Sequence, residues 1–246
     1  DMGMMDMGMS MDSAMPMEYD FATPKQIDLM AQQAGNSALL LDGVSLPAGN
    51  YQWVRLKVDT SQSTITLKDG TVHTLNIPSV ALNGLQLMNS FSLAGKSTAN
   101  FTIDFDLRKS IMTADGGYEM APALRLIDNR QTGTLDGSVS NTVTIGGISI
   151  ADPACSPAVY IYPGSDVTPT DLNPSSTMQP IATTSMRLDN TTGDYVYKET
   201  LLVPGSYTLA MTCAADDDPA TVDTLTFSTI KATAVTANQT TTVDAP

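Results

Sequence analysis

Positive charge is scarce in this sequence. Twelve Lys and Arg stand against 26 Asp and Glu, giving a formal net charge of −14 and a pI of about 4.1. Such a surface has no basic footprint for nucleic-acid phosphates, and anionic membrane surfaces are disfavoured for the same reason. Long apolar runs are missing as well, so nothing spans a bilayer as a helix. Histidine occurs once, at His73. A Ser-His-Asp triad would have to use it, and no Gly-x-Ser-x-Gly elbow accompanies it, so we read it as a surface or packing residue. Phosphate-loop, dinucleotide and haem-attachment motifs are absent. Cysteine occurs twice, at Cys155 and Cys213. Two cysteines without a Cys-x-x-Cys cannot make a four-ligand zinc site. We read them as one disulfide, which implies an oxidising compartment; the alternative is two buried free thiols. The first residue is Asp1, and no signal peptide or lipidation motif is present, so we expect a mature, cleaved or incomplete chain.

What the sequence does contain is β patterning. Gly and Pro recur between short apolar strings, Thr and Ser abound, and charged residues are only 15%. That profile predicts an all-β exported protein built as two β-sandwich modules in tandem. Its spine is Phe101 to Lys109, in which Phe101, Ile103, Phe105 and Leu107 alternate with Thr102, Asp104, Asp106 and Arg108. This period of two is that of a strand with one face on a core. Tyr51 to Asp59 is a second such strand, with Val54, Leu56 and Val58 inward and Trp53, Arg55 and Lys57 outward. Strand-like residues flank Asp42-Gly43 over Ser37 to Leu46, Thr64 to Leu67 pairs with Val72 to Ile77 across an Asp-Gly turn, and Gly84 to Phe91 and Ala121 to Asp128 are further strands. Met112 to Gly117 is expected as a loop.

After a short linker at 129–133, eight more strands are expected in the second module, over 135–140, 142–150, 158–162, 186–188, 195–202, 206–213, 224–230 and 233–237. Residues 163–180 form a Pro/Ser/Thr/Asp loop and 214–221 an acidic loop. The resulting boundaries are a Met-rich arm at 1–18, a first sandwich at 19–130 and a second at 133–246. Residues 1–132 carry 14 acidic and 9 basic side chains, and residues 133–246 carry 12 and 3. The second module is therefore the more acidic, which we read as a solvated surface. Pro47-Ala48-Gly49-Asn50-Tyr51 and Pro204-Gly205-Ser206-Tyr207 echo each other as turns feeding an alternating strand.

Residues 1–17 hold eight of the 15 methionines. Gly, Ser, Asp and Pro interrupt any helical stripe, so an extended or irregular arm is expected.

Several strings, namely Gln26-Ile27-Asp28-Leu29, Ser37 to Gly43, Pro47 to Tyr51, Phe101 to Lys109 and Ala123-Leu124-Arg125-Leu126, resemble a bacterial exported family known as domain-of-unknown-function family 4382. They cover most of 19–130. The resemblance implies a β-sandwich on an exported lipoprotein or secreted protein and supplies no catalytic residues. Residues 133–246 are similar in style to transthyretin-like, carboxypeptidase-regulatory-like modules, chiefly through the Pro-Gly-x-Tyr turn. The family opens with about two more strands ahead of the position of Met2. Module one is therefore expected to lack part of a sheet, and its open edge could be filled by a strand from another chain.

Candidate chemistry is sparse. Met2, Met4, Met5, Met7, Met9 and Met11 carry soft thioethers that could converge on Cu(I) or Ag(I); the plain alternative is an apolar arm that packs on a neighbour. Asp104 and Asp106 stand roughly 7 Å apart along a strand, a spacing open to a glycosidase pair or a calcium site. We favour cross-strand pairing with Arg55, Arg108 or Arg125. Asp216-Asp217-Asp218 lacks the ligand spacing of an EF-hand and reads as a solvated loop, with Ca²⁺ as the alternative. No resident cofactor is expected.

The expected function is that of a non-catalytic structural or interaction protein on the bacterial surface, extracellular or on the outer membrane. It would self-associate, or join another surface protein, through strand pairing, as a filament or assembly subunit completed by strand donation. A Met-rich metal-binding surface protein and an adhesin or carbohydrate-binding module are the alternatives. Aromatic content of 6% leaves little for an exposed sugar platform.

Overall fold

The computed structural model describes residues 2–9, 17–33, 35–78, 84–87, 90–114, 116–173, 176, 178–215 and 224–244, with only the backbone of 2–9. The chain is all-β and divides into two compact units, Asp1–Asp128 and Asn129–Pro246.

The first unit holds strands β1 (Met2–Met9), β2 (Met17–Lys25), β3 (Gly49–Val58), β4 (Thr64–Thr66), β5 (Val72–Asn76), β6 (Leu85–Leu87), β7 (Phe91–Leu93), β8 (Phe101–Phe105), β9 (Ile111–Ala114), β10 (Gly117–Met120) and β11 (Leu124–Asp128). One sheet runs β2-β1-β3-β6, with β7 also on β3; a second runs β4-β5-β10-β9; β8 and β11 form a pair. The core lies between them, from Val54 and Leu56 on β3, Leu75 on β5, Leu85 and Leu87 on β6 and Leu126 on β11. A register shift where Gly8 faces Trp53 but Met9 faces Tyr51 leaves Gln52 as the extra residue of a bulge. The bulge lets Tyr51 and Val54, three residues apart, both reach the core.

Four expectations are revised here. Of the extended and irregular alternatives for the arm, Met2–Met9 takes the extended one, as a strand paired within a sheet. An apolar stretch with methionine on both sides has no period-2 alternation, which hides a strand flanked on both edges. The spine breaks after Phe105: Asp106 caps a single helical turn, α1 (Leu107–Ser110), by accepting from the Lys109 N–H at 3.2 Å. Ser110, fully buried, closes the kink by donating to the Asp106 carbonyl at 2.6 Å and accepting from the Ala123 N–H at 2.9 Å. Met112 to Gly117 is not a loop, since β9 and β10 pair through it. Residues 37–46 hold no strand; Leu40, Leu41 and Leu46 instead pack on the core from an irregular segment.

The second unit holds β12 (Gly133–Val139), β13 (Thr144–Ile145), β14 (Ile148–Ser149), β15 (Ala158–Pro163), β16 (Ala182–Ser185), β17 (Arg187–Leu188), β18 (Tyr195–Leu202), β19 (Gly205–Thr212), β20 (Lys231–Val235) and β21 (Thr240–Thr242). Two four-stranded sheets, β17-β18-β12-β21 and β16-β15-β19-β20, sandwich a core that includes Leu135, Val159, Ile161, Leu202 and Leu209. Residues 224–230, expected as a strand, are irregular. β16 and β21 went unforeseen, being short, Thr-rich and without alternation. The outer face of β15 is buried as well. Tyr160 and Tyr162 lie under Val167 and Leu172 of the long Pro/Ser/Thr/Asp loop and under Leu225 and Phe227. The Tyr162 hydroxyl pins that loop by donating to the Thr170 carbonyl.

Cys155 and Cys213 form a disulfide that closes a 58-residue separation. Constraining the unfolded chain by such a loop is worth about 4 kcal/mol in the chain-entropy model.

The turn echo has a structural counterpart. Tyr51 donates its hydroxyl to the Pro47 carbonyl at 2.9 Å, and Tyr207 donates to the Val203 carbonyl at 2.6 Å. Each tyrosine is buried at the third position of its strand, and each bonds back four residues across the turn. This is the tyrosine-corner device of β-sandwiches. Tyr51→Phe and Tyr207→Phe, each measured by urea unfolding, are expected to destabilise by about 1–2 kcal/mol, because a turn carbonyl loses its donor. Reduction of the disulfide is expected to cost about 4 kcal/mol, read from the same transition with and without a reductant.

Candidate interaction site

The most unusual element of the first unit is β1. It pairs with β2 on one flank, from Met2 opposite Lys25 to Met7 opposite Met17, and with β3 on the other, from Met2 opposite Val58 to Met9 opposite Tyr51. Among the described residues β2 has no other strand neighbour, and the β1–β2 pair joins the rest of its sheet through the β1·β3 ladder.

Side-chain ties from β2 supplement that ladder. Tyr19 donates to the Ser45 carbonyl at 3.0 Å, and Lys25 donates to the carbonyls of Leu39 and Leu40 at 3.0 and 2.8 Å. Lys57 on β3 pairs with Glu18 on β2 at 2.9 Å across the intervening β1. Both ends of that pair are about half exposed, so it contributes at most about 1 kcal/mol. Trp53 lies on the same side of β3, with the Arg55 guanidinium 4.8 Å from its ring. Gly84 makes room for this stack, because a Cβ there would stand 2.5 Å from Arg55 Cγ.

In the β1 register Met2, Met5, Met7 and Met9 stand opposite Val58, Leu56, Val54 and Tyr51, and Met4 stands opposite Lys57. Met11 lies outside the described residues, as do Asp216, Asp217 and Asp218. The described residues contain no group of three His, Cys, Asp or Glu arranged to hold a metal ion.

The two carboxylates of the spine part company. Asp104 lies directly opposite Arg125 in the β8–β11 ladder and accepts from its Nε at 2.9 Å, the cross-strand pairing favoured from sequence. Asp106 turns away to cap α1, with Lys109 Nζ 3.4 Å from its Oδ2. The break after Phe105 removes the shared strand face that a paired-carboxylate site would need. His73 is exposed on β5, tilted against Tyr118 at 5.3 Å.

Residues 5–122 match the family model of a domain of unknown function, DUF4382. The match begins inside β1, ahead of Gln26, where the first string that carried the resemblance starts, so most of the Met strand lies within the matched segment. The second unit lies beyond it. No curated protein matches the chain. Among solved structures, a candidate adhesin from Bacteroides ovatus is similar at 9% identity and a TM-score of 0.28, over 100% of this chain and 87% of that one. A candidate cell adhesion protein from Bacteroides fragilis gives 10% identity and 0.25, over 97% and 70%. The minor pilin GBS52 of Streptococcus agalactiae gives 12% and 0.22, over 100% and 82%. Likeness at this level carries no argument about what the chain does. No helix among the described residues is long and apolar enough to cross a membrane.

Sequence reasoning missed β1 as a sheet member and α1 as a stop. The signal for α1 was present: Asp106 followed by Arg108 and Lys109 is an N-cap ahead of basic residues in the last turn. In the first unit, Asp104→Ala and Arg125→Ala are each expected to destabilise by about 1 kcal/mol. Their double-mutant coupling should be about 0.5–1 kcal/mol, since the pair is partly solvated; denaturant titration of the four proteins measures it.

Proposed function

We propose that this is a non-catalytic exported protein of the bacterial surface, extracellular or on the outer membrane. On this reading it is a structural or docking part that self-associates, or joins another surface protein, by exchanging the β1–β2 hairpin between copies. One observation carries the reading: β1 occupies an interior position of its sheet, yet the hairpin it belongs to is held there by one ladder to β3. An element docked through a backbone ladder can be received by an identical sheet, which is how strand donation and domain swapping build assemblies. The disulfide of the second unit supports an oxidising, exported setting.

The test uses the β1–β3 register, in which Asp6 faces Arg55. The double variant Asp6→Cys/Arg55→Cys should cross-link within one chain. Two single-cysteine proteins, Asp6→Cys and Arg55→Cys, refolded together at high concentration, should yield a covalent heterodimer on a non-reducing gel. A double variant that closes while the mixture stays monomeric would sink the exchange. A double variant that fails to close would reject the register itself.

A further inference from the structure

The last described strand of the second unit is held in an unusual way. β21 runs parallel to β12, with Thr134 facing Thr240, Leu135 facing Thr241 and Asp136 facing Thr242. The chain then dips over β12. The Val243 N–H donates to the Asp136 carbonyl at 2.7 Å, and the Val243 carbonyl accepts from the Tyr197 hydroxyl at 2.6 Å. The Asp244 carboxylate accepts from both the N–H and the hydroxyl of Ser138 at 2.9 Å. Gly137 makes this path possible: a Cβ there would stand 2.0 Å from the Val243 carbonyl oxygen. Val243 packs against the core of the sandwich, beside a cavity of about 10 Å³ that it lines with Val159, Tyr197, Leu209 and Met211.

Residues 240–244 are therefore a short polar segment with one apolar anchor, seated in a groove that Gly137 opens and Tyr197 closes. Burial, and then the charges of Asp244 and Asp136, push the Tyr197 phenol above its ordinary value, which keeps its hydroxyl a donor. The segment reaches its groove from β20 of the opposite sheet through residues 236–239. That turn is four residues long and carries Asn238 at a φ of 59°, in the left-handed region that asparagine adopts more readily than most side chains.

We propose that the Gly137 groove is a strand-acceptor site whose second occupant is residues 240–244 of another copy of this chain. Exchange would preserve every contact named above. Identical elements swap at low cost when the hinge is short and constrained. In dilute solution the tethered segment wins through its effective concentration, so exchange is expected at high protein concentration or on refolding. The inference rests on the second unit alone and is independent of the β1–β2 hairpin.

The probe is a fluorescent synthetic peptide of residues 236–246, annealed with the full chain by partial unfolding and return. Saturable uptake is expected, and the same peptide with Val243→Asp should not bind. Tyr197→Phe should weaken uptake about tenfold, the loss of one buried hydrogen bond. Gly137→Ala should abolish uptake, whereas Gly95→Ala, where a Cβ meets nothing within 4 Å, should leave it unchanged. The second arm refolds tagged and untagged full chains together; mixed dimers retained on the tag should form with wild type and be lost with Tyr197→Phe. The proposal is overturned if the wild-type chain takes up no peptide, if Val243→Asp binds equally, or if mixed dimers do not form. An unfolded Gly137→Ala protein would leave the Val243→Asp and Tyr197→Phe comparisons to decide.

Discussion

Backbone hydrogen bonding on both flanks of β1 is the constraint on which the first unit depends. A strand in the interior of a sheet must find partners for every N–H and C=O, and an unpaired buried group costs about as much as a lost hydrogen bond. β2 and β3 supply those partners. Without β1, β3 would present a bare edge beside Tyr51, Val54 and Leu56, three of the most buried residues of that unit. The Met tract is thus structural before it can be anything else.

The second unit solves the same problem at a different border. There a three-residue strand and one valine seal β12, and they do so only because Gly137 has no side chain. Both units also open a central strand with a Gly-x-Tyr turn whose hydroxyl reaches back four residues. Among the described residues these contacts lie at sheet borders, and edges left bare invite uncontrolled pairing.

Strand existence was legible wherever one face is wet. Tyr51 to Asp59 and Tyr195 to Leu202 alternate cleanly, and the structure has strands over Gly49–Val58 and Tyr195–Leu202. The Asp104–Arg125 pair was legible as well, because charges on the outer side of neighbouring strands pair across a ladder. The failures have separate causes. β1 has methionine at both odd and even positions, so its sequence shows no alternation. At Ser37 to Leu46 the leucines mimic a strand, while the backbone only drapes over the core. At Asp106 the alternation runs on through Leu107, yet local capping chemistry turns the chain.

Composition by itself determined the class of molecule: acidic, β-rich and punctuated by Gly and Pro, with two cysteines to staple one sandwich. Those properties follow from residue types and local periodicity, which are fixed before the chain folds. Only the tertiary structure decided that Met2–Met9 is an interior strand and that Gly137 exists to let Val243 pass. Each of these depends on which distant backbone lies alongside. Pairing of that kind is chosen by the fit of whole sheets, and no local window of sequence contains it.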